Sequence, residues 1–476
     1  MTPWEERVVA TVESFVEQLE RRGWRSTTST ELTATLDVGT RRMRVRLEVT
    51  NDFPFSPPRV FPVDDQRPSW HSELDGAMCL YPEVGRGSLP WLDVADFVAT
   101  VVRWLESSSA GWPADTPEMD LERYFEPAGT GPLVLYDERI ESLTGKFVRF
   151  KVEGATVVLV GTGMKPAKSN PRRYRLYGYV IDIGEPDTPP RGWRDIREEV
   201  DPKIVEQLDR RLRLGALDLL LVRYRRAGAT GAIALLVTAY APIELKSLPS
   251  ASTSLPVVSL RSGRDAHKLE GKSVLVVGAG AVGSFICENL VRAGLGQLAI
   301  RDGDIVRPGN AVRHVLPSTF AGYPKVEALQ RLLSQRSYCV TDIASEARHL
   351  TDRTEIPDLL AKFDLVIDAT ADGMASAMLA DAARTFGVHI ISAALQDEGR
   401  VVRVDVVPPL SGEAIGEVGI PSRREHDFFE AGCGDPVSMT PPYAAMEAAA
   451  IATRVAVRIL TDLQTEPAGV IRVYSL

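Results

Sequence analysis

A chain of 476 residues, 44% hydrophobic and 25% charged, has the composition of an ordinary globular protein and the length for two or three domains. Its net charge of −9 leaves no general basic footprint for nucleic acid, and no apolar run approaches the roughly 20 residues of a membrane span. Four cysteines (Cys79, Cys287, Cys339 and Cys433) are too few and too scattered for a disulfide framework or a tetrathiolate zinc site, so a cytoplasmic compartment is expected.

The chain opens on MTPWEERVVATVESFVEQLERRGW, where Val8, Val12, Phe15, Val16 and Leu19 recur at helical spacing among glutamates. This predicts an amphipathic helix and not a signal peptide. STELTATLDV and RRMRVRLEVT then read as strands, and NDFPFSPPRVFPV as an extended edge segment whose Pro54, Pro57 and Pro58 forbid helix. His71 leads into DGAMCLYP, which carries Cys79, and WLDVADFVATVVRWLE predicts a helix with Trp91, Val94, Phe97, Val98, Val101 and Leu105 on one face.

That order of helix, strands, FPFSPP, His, GAMCL, Trp and helix resembles a ubiquitin-conjugating enzyme over residues 1–130. The resemblance implies an α+β fold and a thioester on Cys79. In the family a His-Pro-Asn motif precedes the cysteine, and its asparagine is associated with stabilising the oxyanion formed as an amine attacks. Here Ser72 and Glu73 follow His71, which also lies closer to Cys79 than usual. The asparagine's role is therefore unassigned or carried by another donor, and His71 is either chemical or a structural remnant. The plain alternative for Cys79, beside Met78 and Leu80, is a small buried hydrophobe.

Residues 131–260 predict a middle α+β linker or partner-docking domain. GKFVRFKVEGATVVLVGT and RRYRLYGYVIDIG alternate as hairpins, VDPKIVEQLDRRLRLGALDLLLVRYRR reads as helical before breaking into a short strand, and SLPSASTSLPVVSLRSGRDAH reads as a Ser/Pro-rich linker. Lys165, Lys168, Arg172, Arg173 and Arg175 form a basic cluster, read as a solvated face or as a docking surface.

Residues 261–476 begin with the apolar strand VLVV and the turn Gly278-x-Gly280-x-x-Gly283, then a helix and a second strand ending at Asp302 and Asp304. Such a βαβ unit lets backbone N–H groups approach phosphate at a helix N-terminus. Asn310, Arg313, Lys325, Asp368 and Asp372 follow. Basic groups and an acid around a pyrophosphate suit a nucleotidyl transfer better than a hydride transfer. GAGAVGS, DGDIVRPGNAVRH, YPK and DATAD together resemble the Rossmann-like adenylation domain of ubiquitin-activating enzymes and their ThiF/MoeB relatives. By that resemblance Asp302 binds the ribose, Asn310, Arg313 and Lys325 the phosphates of ATP, and Asp368 the Mg²⁺. AGCGDPVSMTPPYAAMEAAA resembles the crossover loop and Ala-rich helix of autophagy-type activating enzymes, which implies a thioester on Cys433. Cys287 and Cys339 read as buried.

The two resemblances imply an activating–conjugating fusion: adenylation of a protein C-terminal carboxylate, capture on Cys433, transfer to Cys79 and ligation to an amine of a target protein. Such fusions resemble those of CBASS anti-phage operons. The donor would then be a ubiquitin-like protein or a cGAS-like nucleotidyltransferase, a JAB-type peptidase could reverse the link, and a homodimer is expected, with no membrane or nucleic-acid partner. The competing readings are a sulfur-carrier adenylyltransferase of the thiamin or molybdopterin type, an NAD-dependent oxidoreductase and a non-catalytic scaffold.

Overall fold

In the computed structural model, the described residues are all except 65–68, 82–84, 86, 113–120, 166–174, 227, 337–339, 420–438 and 475–476. The chain divides into two compact units, residues 1–253 and 254–476. No helix of the described residues is long and apolar enough to cross a membrane.

The first unit begins with α1 (Pro3–Glu20). Its start is held by a reciprocal cap, in which the Glu5 N–H donates to Thr2 Oγ1 at 3.3 Å and the Thr2 N–H to Glu5 Oε2 at 2.6 Å. An antiparallel sheet follows in the order β1 (Arg25–Ser26), β2 (Glu31–Val38), β3 (Arg41–Glu48) and β4 (Arg59–Pro62). Helix α2 (Val94–Ser109) is capped by Asp93, which accepts from the Ala95 N–H at 2.9 Å. It buries Val94, Phe97, Val101 and Leu105 in one cluster with Phe15, Leu19, Val45 and Leu47. Each such side chain is worth about 1.5–3 kcal/mol when fully buried. The FPFSPP segment is not an extended edge throughout. Residues 51–55 turn, and only beyond Pro57 and Pro58 does the chain run as the edge strand β4. The turn is set by Phe53, whose ring lies 4.7 Å from that of Phe15, and by Trp91 Nε1, which donates to the Pro54 carbonyl at 2.8 Å.

A second sheet of the same unit contains β5 (Leu133–Tyr136), β6 (Phe147–Glu153), β7 (Thr156–Thr162), β8 (Arg175–Asp182), β9 (Leu219–Arg226), β10 (Ala229–Tyr240), β11 (Ile243–Leu248) and β12 (Ser250–Ser252). Their spatial order is β11-β10-β9-β8-β6-β7-β5-β12. Helices α3 (Arg139–Leu143), α4 (Trp193–Glu198) and α5 (Pro202–Arg213) accompany it. The Ser/Pro-rich stretch expected as a linker holds the boundary between the two units, at 253/254, and is ordered structure. Its serines form β12, which pairs in parallel with β5 and completes the sheet edge. Backbone ladders need no apolar side chains, so composition did not reveal this strand. The core of this sheet also reaches back towards the first one. Trp70, Leu121, Tyr124 and Phe125 are buried in one cluster with Tyr179, Leu220, Val222 and Tyr224.

The second unit starts with α6 (Leu255–Ser259) and α7 (Ala266–Leu269). It then alternates β13 (Ser273–Val277), α8 (Ala281–Ala293), β14 (Gln297–Arg301), α9 (Lys325–Ser334), β15 (Asp342–Glu346), α10 (Ile356–Lys362), β16 (Leu365–Asp368), α11 (Gly373–Phe386) and β17 (Ile390–Gln396). β18 (Val401–Val407), α12 (Pro442–Leu460) and β19 (Gly469–Val473) complete it. The order β15-β14-β13-β16-β17-β18-β19, parallel through β17 and antiparallel after it, is a Rossmann-like sheet whose order reverses between β13 and β16. The small side chains Ala445, Ala448, Ala449 and Ala452 of α12 let it pack closely on α8 and β17.

Arg301, at the end of β14, is a fully buried cation held by Glu355 at 2.6 Å. Removing one partner of such a pair strands the other in a low dielectric. Glu355→Ala should therefore lower the stability of the second unit by about 3–5 kcal/mol, read from its denaturation midpoint. Arg348→Ala, which removes only an exposed partner of the same carboxylate, should leave that midpoint nearly unchanged.

Candidate active site

At the carboxyl ends of β13, β14 and β16 lies a cavity of about 420 Å³, within the roughly 300–1,000 Å³ typical of small-molecule sites. Its wall includes Gly278, Gly280, Asp302, Asp304, Lys325, His349, Thr370 and Asp372. Gly278 has φ +93°, and a Cβ there would meet the Ala369 carbonyl at 2.6 Å. A Cβ at Gly283 would lie 1.9 Å from the Gly278 oxygen. These two glycines are required by the protein's own packing. A Cβ on Gly280 would meet nothing within 4 Å, so this glycine leaves room on the cavity side. No side chain caps the α8 N-terminus beside it, which leaves N–H groups for an anion.

The loop is gripped from two sides. Asp302 accepts from the Ala279 N–H at 2.7 Å and from the Asp304 N–H at 2.8 Å. His314, only 7% exposed, has Nε2 2.7 Å from the Ala279 carbonyl, while its Nδ1 accepts from the Leu316 N–H at 3.0 Å. A neutral ring protonated on Nε2 satisfies both bonds. Lys325 Nζ donates to Asp304 at 2.7 Å. Burial acts to raise the Asp304 carboxyl's pKa, but the Lys325 bond and charge, with His349 and Arg307, hold it below the usual range. Asp302, Asp304 and His349 offer oxygen and nitrogen atoms within 4.8 Å of one another.

The first unit carries another cleft, of about 250 Å³, lined by Asp52, Pro57, Pro58, Arg59, Glu73, Cys79 and Tyr81 among others. The segment around Cys79 folds back on itself: the Cys79 N–H donates to the His71 carbonyl at 2.9 Å and the Glu73 N–H to Ala77 at 2.7 Å. Cys79 is half-buried, and the Arg123 guanidinium, 3.5 Å from the Ser72 carbonyl, lies within electrostatic reach of its sulfur.

Residues 253–466 match the model of the ThiF family. The second unit is therefore a ThiF-family domain. Among curated proteins, the adenylyltransferase and sulfurtransferase uba4 of Emericella nidulans is 35% identical over 151 residues, 31% of this chain and 31% of its own. The ATP-dependent ubiquitin transferase-like protein Cap2 of Enterobacter hormaechei is 37% identical over 118 residues, 23% of this chain and 18% of its own. The chain thus spans a third or less of the length of these relatives. The crystal structure of E. coli MccB with ATP aligns at 18% identity and TM-score 0.34, over 44% of this chain and 60% of that one.

The ThiF domain's cavity brings together Gly278, Gly280, Asp302 and Lys325 of the residues singled out in the sequence, with Gly283 behind them. Three others sit elsewhere. Asn310 lies in a 3₁₀ turn and accepts from the Arg307 N–H at 2.9 Å, and Arg313 donates to the Thr440 carbonyl at 3.2 Å, just ahead of α12. Asp368, expected at Mg²⁺, is 2% exposed, and its two oxygens receive the Thr370, Ser376 and Ser392 hydroxyls and the Thr370 N–H. Of the two acids of DATAD, it is Asp372 that lines the cavity beside Asp302 and Asp304, and its carboxylate caps α11 by accepting from the Ala375 N–H at 2.8 Å. Cys433, Cys339 and most of the basic cluster after Lys165 fall outside the described residues. Cys287 is buried, and burial pushes its thiol pKa far up, which makes it inert. His71 stacks on Trp112 with ring centroids 3.6 Å apart, and Trp104 Nε1 donates to its carbonyl at 3.0 Å.

Nothing in the sequence pattern marked His314, Arg301 or Arg123, because each acts through a partner far along the chain. Burial lowers the His314 pKa below its ordinary value of 6.5. The unfolded chain then binds the proton first, so this contribution to stability is complete above about pH 6.5 and falls as the pH drops further. The melting midpoint of the ThiF domain should fall over that range. In His314→Gln, which keeps an N–H donor, the fall should be shallower.

Proposed function

We propose that this chain adenylates a protein C-terminal carboxylate with ATP and passes the acyl group through two cysteines to an amine of a target protein. The observation that carries this proposal is the presence, on one polypeptide, of a ThiF-family cavity with an anion-ready glycine turn and a cleft holding a half-buried cysteine. A carboxylate oxygen attacks the α-phosphorus of ATP and pyrophosphate leaves. The Cys433 sulfur then displaces AMP to form a thioester, the Cys79 thiolate exchanges with it, and the amine takes the acyl group as an amide.

In this proposal the α8 N-terminus and the Gly280 backbone receive phosphate, and Lys325 offsets the charge that develops on pyrophosphate. Mg²⁺ would neutralise phosphate charge in the same place. The donor set fits it: Asp302 and Asp304 offer hard oxygen ligands within 4.8 Å of each other and of a His349 nitrogen, and Asp372 lines the same cavity. Asp368 instead positions Thr370 and Ser376 beneath the cavity.

The match to a ubiquitin transferase-like protein favours protein ligation; a ubiquitin-like protein or a cGAS-like nucleotidyltransferase as donor, in an anti-phage setting, extends the proposal. A JAB-type peptidase as the reversing partner and a homodimer belong to the same proposal. The match to an adenylyltransferase and sulfurtransferase favours a second one, activation of a sulfur carrier, which leaves the Cys79 cleft without a task.

Incubation with ATP, Mg²⁺ and a candidate donor protein, followed by non-reducing gels, separates the two. Cys433→Ala should abolish every thiol-sensitive adduct, and Cys79→Ala should keep the first adduct but lose the amide product. ATP–pyrophosphate exchange with no amide product, in the parent as in Cys79→Ala, would favour the sulfur-carrier activity. Lys325→Ala should slow ATP–pyrophosphate exchange by roughly 100-fold. Asp372→Asn should slow it far more than Asp368→Asn does relative to the loss of folded protein.

A further inference from the structure

We propose that Arg123 keeps Cys79 in its thiolate form, so that a residue held by the second sheet completes the cysteine cleft of the first. The inference deepens the thioester role given to Cys79 above and rests on it for its biological meaning.

Arg123 does not belong to the helix–sheet framework around Cys79. It sits in a short 3₁₀ turn, Glu122–Tyr124, just ahead of the second sheet. The turn is fixed on both sides. The Tyr124 hydroxyl donates to the Trp70 carbonyl at 2.6 Å, and the two rings meet edge to face at 5.4 Å. The Leu121 N–H donates to the Tyr224 hydroxyl of β9 at 3.3 Å. Arg123 is thereby aimed at the folded-back segment of residues 71–79. Its Nη2 lies 3.5 Å from the Ser72 carbonyl and 3.7 Å from Glu73 Oε1, and Ser72 bridges to Met78 beside Cys79, which brings the cation within electrostatic reach of the sulfur.

Among the described residues, other charged groups that line the cleft have partners of their own. Arg59 is paired with Asp75, and Asp52 is held by the Thr50 and Ser56 hydroxyls. Tyr81 stays neutral, its pKa raised by burial. Glu73 opposes the effect, but its side chain is 44% exposed against 19% for Arg123, so water screens it more.

A guanidinium against sulfur favours the anion. In the exchange, the Cys79 sulfur lone pair forms the new C–S bond while the donor cysteine leaves as thiolate, so negative charge moves from one sulfur to the other and no proton is required. In the ligation, the amine nitrogen bonds to the acyl carbon, Cys79 departs as thiolate beside Arg123, and the amine's surplus proton goes to solvent. Both steps place a negative sulfur where this cation lies.

The test uses the full-length chain and iodoacetamide, with alkylation of the Cys79 peptide followed by mass spectrometry as a function of pH. Arg123→Gln should move the midpoint of the Cys79 profile up by about one pH unit, Arg123→Lys should fall between it and the parent, and Glu73→Gln should move it down. A profile unchanged in Arg123→Gln, or moved equally by Gln and Lys, overturns the proposal. The thioester gel on the same proteins keeps the two ideas apart. A shifted alkylation profile without any adduct on Cys79 sinks the ligation pathway and leaves the thiolate assignment standing, whereas adducts with an unshifted profile do the reverse.

Discussion

The close approach of two strand ends governs the second unit. β13 and β16 are adjacent parallel strands, and the turns that leave them touch backbone to backbone, Gly278 against Ala369 and Thr370. No side chain fits between them, so the turn after β16 is held facing the glycine loop, and the space between the two turns becomes the floor of the cavity. Both backbone groups of Ala279 are then used, its N–H by Asp302 and its carbonyl by His314. What remains to face the cavity is the bare backbone at Gly280 and the free start of α8. A loop so over-determined is pre-organised, which is what tight binding of a polyanion needs.

The first unit is organised by a different contact, the burial of Trp70 and Tyr124 in the core of the eight-stranded sheet. Trp70 directly precedes the segment that folds back to Cys79, and Tyr124 directly follows Arg123. One aromatic pair therefore fixes the relative position of a thiol and a cation that are 44 residues apart in the numbering. The two sites of the molecule accordingly use charge in opposite ways. The cavity of the second unit gathers carboxylates around Lys325, whereas the cysteine cleft brings a guanidinium near sulfur.

Much of this was legible in local pattern. Glycine spacing announced a strand–turn–helix because only glycine tolerates those contacts, and apolar periodicity announced α1, α2 and the parallel strands because burial repeats with the geometry of each element. Asp302 and Lys325 were legible for the same reason, since they stand at the first positions after a strand and at the start of a helix. The distinction between Asp368 and Asp372 was not. Both are acids of one short motif, and whether a carboxylate faces the cavity or hydroxyls beneath it depends on where Thr370, Ser376 and Ser392 come to lie.

By itself, then, the sequence determined the Rossmann-like strand–turn–helix order, the glycines it requires and the cysteine that follows FPFSPP, because each depends on neighbours a few residues away. Only the tertiary structure decided that a serine stretch closes a sheet, that His314 grips the glycine loop, that Arg301 is buried against Glu355, and that Arg123 is the cation at Cys79. Those pairings join residues brought together by packing alone, and a hydrogen bond or ion pair between distant positions leaves no periodic trace in the chain.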